Sequence, residues 1–270
     1  GALVKLLMIQ GRFADSQEAY RNSRSVTRDA YNVMMTDLHM VQDTLAIQAA
    51  NRDSIMVRVP YVYGIICAHS SGTTTASMVP VDSALYAMAA YGGVAWDSAG
   101  VFQFRPASGS PPSPPSYSDP TICLDSSATG AKVDSIVFRD SASGRIRGGR
   151  TMSLNPTLPN AKTGDPVFLW QEITYSFGSS VAYPGMRGLY RSVTNGPRDE
   201  IIAPFDTSAK FKFYVLNNDT SQVAAPANLN QIKGLDLLLN ARSPTIPAGS
   251  KGPKLSKTRT AVYFKDRRDP

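Results

Sequence analysis

GALVKLLMIQGRFADSQEAYRNSRSVTRDAYNVMMTDLHMVQDTLAIQAA, residues 1–50, opens the chain and carries the reading of its fold. From Leu3 to Ala50 this stretch has no proline and a single glycine, Gly11, in a chain of 270 residues that holds 19 prolines and 20 glycines. It has two textures. Leu3, Val4, Leu6, Leu7, Ile9 and Phe13 make the first part apolar, with Lys5 the one charge before Gly11. Further on, Ala30, Val33, Met34, Leu38, Val41 and Leu45 recur at steps of three and four, with Arg21, Arg24, Arg28 and Asp37 between them. An apolar stripe at that period, bordered by charges, predicts an amphipathic helix. The whole stretch therefore reads as one long helix, with Gly11 the place where it could break. At 1.5 Å per residue, ~45 residues would make a rod 65–70 Å long. A domain of this size cannot pack such a rod along its whole length, so its first half is expected to project. The apolar run is shorter than the roughly 20 residues that cross a bilayer. It also lacks the basic start and small-residue cleavage site of a secretory signal.

Beyond Asn51 the texture changes to short runs rich in Val, Ile, Tyr and Phe, punctuated by Gly, Pro, Ser and Asn. Strands are predicted at 54–60, 61–68, 83–91, 101–105, 134–140, 166–177, 188–193, 209–216, 234–241 and 259–266. Several alternate apolar and polar residues, as antiparallel strands with one wet face do. No βαβ rhythm and no repeat stands out. The expected fold class is thus α+β: a long N-terminal helix, its first part apolar and its second amphipathic, packed on an antiparallel β-rich head. The domains are 1–50, the helix, and 51–270, the head, which carries a Pro-rich loop at 105–120. Six prolines in sixteen residues exclude helix or central strand in that loop.

The composition, 42% hydrophobic and 18% charged, fits a globular core. A formal charge of +7 permits contact with anionic lipid or nucleic acid without requiring either. The tail KGPKLSKTRTAVYFKDRRDP alternates basic and apolar residues, as the solvent face of a strand does. SGRIRGGR at 143–150 reads as a hairpin turn rather than as an RGG-type nucleic-acid segment, because it is a single copy without aromatic residues.

Two histidines narrow the catalytic options sharply. His39 reads as a surface or half-buried helix residue. Cys67 and His69 would share a strand face, but a catalytic thiol–imidazole pair also needs an orienting group and an oxyanion site, and no motif supplies them. Nucleophile elbow, phosphate loop, HExxH, dinucleotide fingerprint and calcium loop are all absent, and the two cysteines form no CxxC for zinc. The expectation is a protein that is not an enzyme, with no catalytic residue, cofactor, metal or small-molecule substrate. On the residues alone, Cys67 and Cys123 are equally a disulfide or two buried thiols.

The opening residues 1–41, the stretch GLYRSVTNGPRDEIIAPFDTSAKFKFYVLNN (188–218) and the close IKGLDLLLNARSPTIPAGSKGPKLSKTRTAVYFKDR (232–267) resemble type IV pilin-like proteins. The nearest members are the GspJ-like minor pseudopilins of type II secretion and the PilW-like minor pilins. The resemblance covers both ends and most of the second half, whereas 70–165 is not matched in detail. The leader, the processing glycine and the acidic residue early in the span that such families use are not among these residues. The resemblance implies an anchored structural subunit of a bacterial inner membrane, with its head in the periplasm or on an extracellular filament. Its partners would be other membrane-embedded or periplasmic subunits, and the lipid bilayer through the N-terminal helix. The residues implied for helix packing and membrane contact are Leu3, Val4, Leu6, Leu7, Ile9, Phe13, Val33, Met34, Leu38, Val41 and Leu45. An oxidising periplasm implies that Cys67 and Cys123 form a disulfide. One alternative is a pilin-like accessory subunit docked on another inner-membrane complex. A second is a DNA-binding filament-tip protein, although nucleic acid is not the expected partner.

Overall fold

A computed structural model describes residues 2–41, 46–69, 72–79, 91–98, 100–107, 116–118, 150–194 and 196–264. One helix, α1 (Ala2–Leu38), precedes thirteen described strands. They are β1 (Ile47–Asn51), β2 (Ser54–His69), β3 (Thr74–Met78), β4 (Gly93–Ser98), β5 (Val101–Pro106), β6 (Ser116–Ser118), β7 (Arg150–Leu154), β8 (Pro166–Ser179), β9 (Arg187–Val193), β10 (Asp199–Phe205), β11 (Lys210–Val215), β12 (Ile232–Arg242) and β13 (Leu255–Tyr263).

This overturns the expected fold class. The chain is a β-rich fold made mostly of antiparallel sheet, with one N-terminal helix, and not an α+β protein organised on a long helix with a head attached. Helix α1 runs through Gly11 without a break and then stops at Leu38, about a dozen residues before the expected end. Its last turn tightens, with the amides of His39, Met40 and Val41 donating to the carbonyls of Met35, Asp37 and Leu38 at 3.1, 3.1 and 3.3 Å. Residues 47–51, read as the end of the helix, pair instead with 54–57 as a hairpin, Asn51 opposite Ser54. At the turn, the Asp53 amide donates to Asn51 Oδ1 at 2.9 Å. Helix propensity in 46–50 is a weak preference, and a sheet partner a few residues away overrides it.

The chain forms two compact units, Gly1–Val57 with Ile173–Val193 and Pro197–Pro270, and Arg58–Glu172 with Thr194–Gly196. In the first, β8 pairs with β9 and β9 with β10, and β12 lies between β11 and β13. Phe177 is the centre of an aromatic cluster, its ring 5.3 Å from both Phe205 and Phe211. Strand β12 is buried almost without interruption. Leu235, Leu237 and Leu239 lie opposite Val262, Thr260 and Thr258 of β13, so these residues share one face.

The opposite face of β12 carries Asp236, 0% exposed. Lys212 stands directly across from it on β11, its Nζ at 3.7 Å. Arg259, one diagonal step away on β13, donates Nε at 2.9 Å to one carboxylate oxygen and Nη2 at 2.9 Å to the other. Ser221 Oγ donates to the same group. Burial alone would raise the Asp236 carboxyl, but the hydrogen bonds from Arg259 and Ser221 and the nearby cations outweigh it, so the group sits below the usual aspartate range. A depressed carboxyl contributes stability above its unfolded value, and that contribution is lost as pH falls through the native value. Asp236→Asn is therefore expected to cost ~1–2 kcal/mol at neutral pH. In urea melts taken from pH 7 down to pH 2, the gap between variant and wild type should close at the acid end.

The second unit packs Val62, Ile66, Met78, Trp96, Met152, Leu158 and Leu169 into one core. Its strands β2, β3, β7 and β6 pair in that order, and β4 lies between β5 and β8. Strand β2 joins two predicted runs, 54–60 and 61–68, through Pro60. Strands β1, β3, β4, β6, β7 and β10 were not among the predicted runs. The predicted strand at 134–140, and 83–91 apart from Tyr91, lie outside the described residues, as do most of the Pro-rich loop and 143–149.

Candidate functional site

Every residue of α1 from Leu3 to Asp15 is exposed. The apolar members are exposed to an unusual degree: Leu3 73%, Val4 52%, Leu6 53%, Leu7 59%, Met8 57%, Ile9 63% and Phe13 66%. At 100° per residue these side chains point in all directions around the helix, not along one stripe. A helix apolar all round is normally enclosed by lipid or by other protein. No helix among the described residues is long and apolar enough to cross a membrane. The apolar segment reaches ~18 Å, a little over half of the ~30 Å hydrocarbon layer.

The second half of α1 packs on the sheet of its own unit, against β10, β12 and β13. Its buried stripe begins at Ala19 and runs through Ser23, Thr27, Ala30 and Met34 to Leu38 and Val41. Ser23 and Thr27 satisfy their hydroxyls within the helix, donating to the carbonyls of Tyr20 at 2.9 Å and Ser23 at 2.8 Å. Met34, Leu38 and Val41 are fully buried, as expected from their spacing. Val33 is not: it is 38% exposed, because it lies one position off the stripe. Leu45 lies outside the described residues.

Near its C-terminal end the helix is tied to the sheet by polar contacts that hydrophobic spacing did not indicate. Asp37, read from the sequence as one of the charges between stripe positions, is only 7% exposed. Its Oδ2 accepts from Tyr175 Oη of β8 at 2.5 Å and from Arg191 of β9, Nε and Nη2 both at 3.1 Å. Tyr175 Oη also donates to the Val33 carbonyl at 3.3 Å. Burial, and then the bond to the Asp37 carboxylate, push the Tyr175 phenol well above its usual range. The Asp37 pair also holds the Arg191 guanidinium above its usual value, against the opposing effect of burial. A signal for this lock exists in the sequence only as an acid at a stripe-adjacent helix position and a Tyr and an Arg in two separate strands.

The residues considered for chemistry do not converge. Cys67 is disulfide-bonded and so has no thiol to ionise; Cys123, its expected partner, lies outside the described residues. His69 Nδ1 is 3.1 Å from both Thr74 Oγ1 and Thr157 Oγ1, and Leu158 donates its amide to Thr74 Oγ1 at 2.8 Å. These hydroxyl contacts join β2 to β3 and the 157–158 segment, and among the described residues no carboxylate is hydrogen-bonded to the imidazole. His39, read as a helix residue, lies exposed in the turn just past the end of α1. Among the described residues no group of three or more His, Cys, Asp or Glu could hold a metal ion.

Among the described residues, grooves flank α1, and two of them lie along its second half. One, of 430 Å3, lies between the helix and β13 and is lined by Arg21, Arg24, Arg28, Tyr31, Ser256 and Thr258. The other, of 700 Å3, runs along Ser25, Val26 and Asp29 on the helix and the 181–183 and 198–203 segments. Glu200 lies beside it, its carboxylate accepting from Ser180 Oγ at 2.5 Å and the Val181 amide at 2.7 Å. Compared with protein-family models, curated proteins and solved structures, the chain matches none.

Proposed function

We propose that this protein is a non-enzymatic assembly subunit of the minor-pilin or pseudopilin kind, held by its N-terminal helix at a bacterial inner membrane with its β-rich part in the periplasm. What carries the reading is one observation: the apolar side chains from Leu3 to Phe13 surround the helix and are exposed on every side, while the other end of the same helix is buried and ion-paired to the sheet. A segment so mounted suits insertion among lipid tails or neighbouring helices. The mounting ties the position of the segment to the sheet. The energy of attachment is hydrophobic: each Leu or Ile removed from water contributes ~1.5–3 kcal/mol.

The experiment is flotation of the full chain with phosphatidylethanolamine–phosphatidylglycerol vesicles, followed by cross-linking and co-purification from bacterial membranes. The reading requires the protein to rise with the vesicles and to bring down pilin-type or pseudopilin subunits. Recovery of a different inner-membrane complex would make it an accessory subunit of that complex. A protein that neither floats nor captures a membrane protein would overturn the proposal. Tight, salt-sensitive retention on DNA would favour the filament-tip alternative.

A further inference from the structure

Strand β13 pairs with β12 alone among the described residues, so its other edge is open. In an antiparallel pair every second residue turns its backbone N–H and C=O away from its partner. Along the nine residues of β13 this leaves a row of donors and acceptors available to another chain. The groove lined by Arg21, Arg24 and Arg28 lies beside the same strand, whose Ser256 and Thr258 form its other wall.

The three arginines are weakly committed within the molecule. Arg28 is 4.0 Å from Asp29 with its side chain 75% exposed. Arg24 lies over the Tyr20 ring at 5.7 Å. Arg21 has no ion pair among the described residues. On β13 itself Lys257 is exposed and adds to the positive field. Basic residues at an edge deter pairing with another copy of the same edge, because like charges would oppose each other. They do not deter an acidic strand.

We propose that the open edge of β13 and the arginine-lined groove beside it form a docking site for an extended, acidic segment of a partner protein, which would add as a further antiparallel strand. Two features choose a polypeptide over other anions. An open edge presents both N–H and C=O groups and is satisfied only by a partner that supplies both. A phosphodiester backbone supplies acceptors alone, and a lipid headgroup does not present donors and acceptors alternating at the spacing of a strand edge. The arginines follow one another at about 4.5 and 6 Å along the helix axis, shorter than the ~6.8 Å repeat of side chains on one face of a strand by an amount that the long, flexible arginine side chains span. Alternate Glu or Asp residues of the added strand thus meet a guanidinium each, in the manner of peptide recognition by strand addition. The inference rests on the assembly reading only in taking the partner to be a protein.

The test uses the full chain and a fluorescein-labelled peptide of alternating glutamate and valine, with fluorescence anisotropy as readout. A second peptide carries the same side chains but is N-methylated at alternate amides, so that it keeps its charge and cannot pair. The unmodified peptide should bind. N-methylation and the charge reversal Arg21→Glu/Arg24→Glu/Arg28→Glu should each weaken binding roughly tenfold or more. Arg21→Lys/Arg24→Lys/Arg28→Lys should retain most of the affinity. The proposal is overturned if the methylated peptide binds within twofold of the unmodified one. It is equally overturned if the reversal variant, melting as wild type does, binds undiminished. The same holds if a single-stranded oligonucleotide of matched charge displaces the labelled peptide at a lower concentration than the unlabelled peptide does. The N-methylation arm uses wild-type protein, so that comparison does not depend on any variant folding. Loss of peptide binding leaves vesicle flotation untouched, so the two readings fail separately.

Discussion

Leu7→Asp combined with Ile9→Asp should abolish attachment to bilayers and to neighbouring helices while leaving the melting temperature of the protein unchanged. Both side chains are well exposed, at 59% and 63%. Neither belongs to the buried core, so their loss uncovers little of it. If lipid or a partner helix covers them in the assembled state, removing two large aliphatic groups forfeits roughly 3–6 kcal/mol, more than a factor of 100 in binding, before the cost of burying two carboxylates is added. Flotation and co-purification should then fail together, and differential scanning calorimetry should show no change. Retention of both activities would remove the proposed role of the segment. A lowered melting temperature would show instead that residues 2–13 are a structural part of the fold.

The second large effect lies at the other end of the helix. Asp37→Ala should destabilise the protein by ~3 kcal/mol. The substitution leaves the Arg191 guanidinium, 29% exposed, without its anion, and leaves the Tyr175 hydroxyl without its best acceptor. The cost arises mainly from the orphaned partners rather than from the contact itself. A triple change to apolar residues of similar shape, Asp37→Leu/Tyr175→Phe/Arg191→Met, should therefore recover most of the loss. Chemical denaturation followed by tryptophan fluorescence and by circular dichroism at 222 nm reads the two variants. If the single variant melts as wild type does, the three groups do not hold the helix in place. If the triple variant is as unstable as the single one, the orphaned-charge account is wrong.

The raised Tyr175 phenol gives this lock a pH limit on the alkaline side. A group whose native value exceeds its unfolded one contributes fully below the unfolded value and loses that contribution as pH rises through the native one. Ionised Tyr175 would place a second negative charge against Asp37 and could no longer donate to it. The lock is therefore intact at neutral pH and opens only in strong alkali.

How far the helix could be read depended on which force governed each part of it. Its apolar first part and the buried Met34, Leu38 and Val41 were legible because hydrophobic burial follows residue type and a fixed period of 3.6. The Ala19–Ser23–Thr27 portion of the stripe escaped notice because small and hydroxylated residues score as polar, although the helix backbone accepts both hydroxyls. Asp37 was placed on the wrong side of the helix for a related reason: a carboxylate is assigned to solvent unless its partners are known, and those partners lie 138 and 154 residues away.

By itself, then, the sequence determined that an N-terminal helical stretch with an apolar start precedes a chain of antiparallel strands, since periodicity and the spacing of prolines and glycines are local quantities. Only the tertiary structure decided that the helix stops at Leu38 and is one accessory element on a sheet-dominated fold. It also decided that 47–51 joins a hairpin, that Asp37 and Asp236 are buried among cations, and that β13, paired among the described residues with β12 alone, lies beside three arginines. Strand pairing and charge burial depend on which distant segments meet, and an isolated stretch of residues carries no record of its partners.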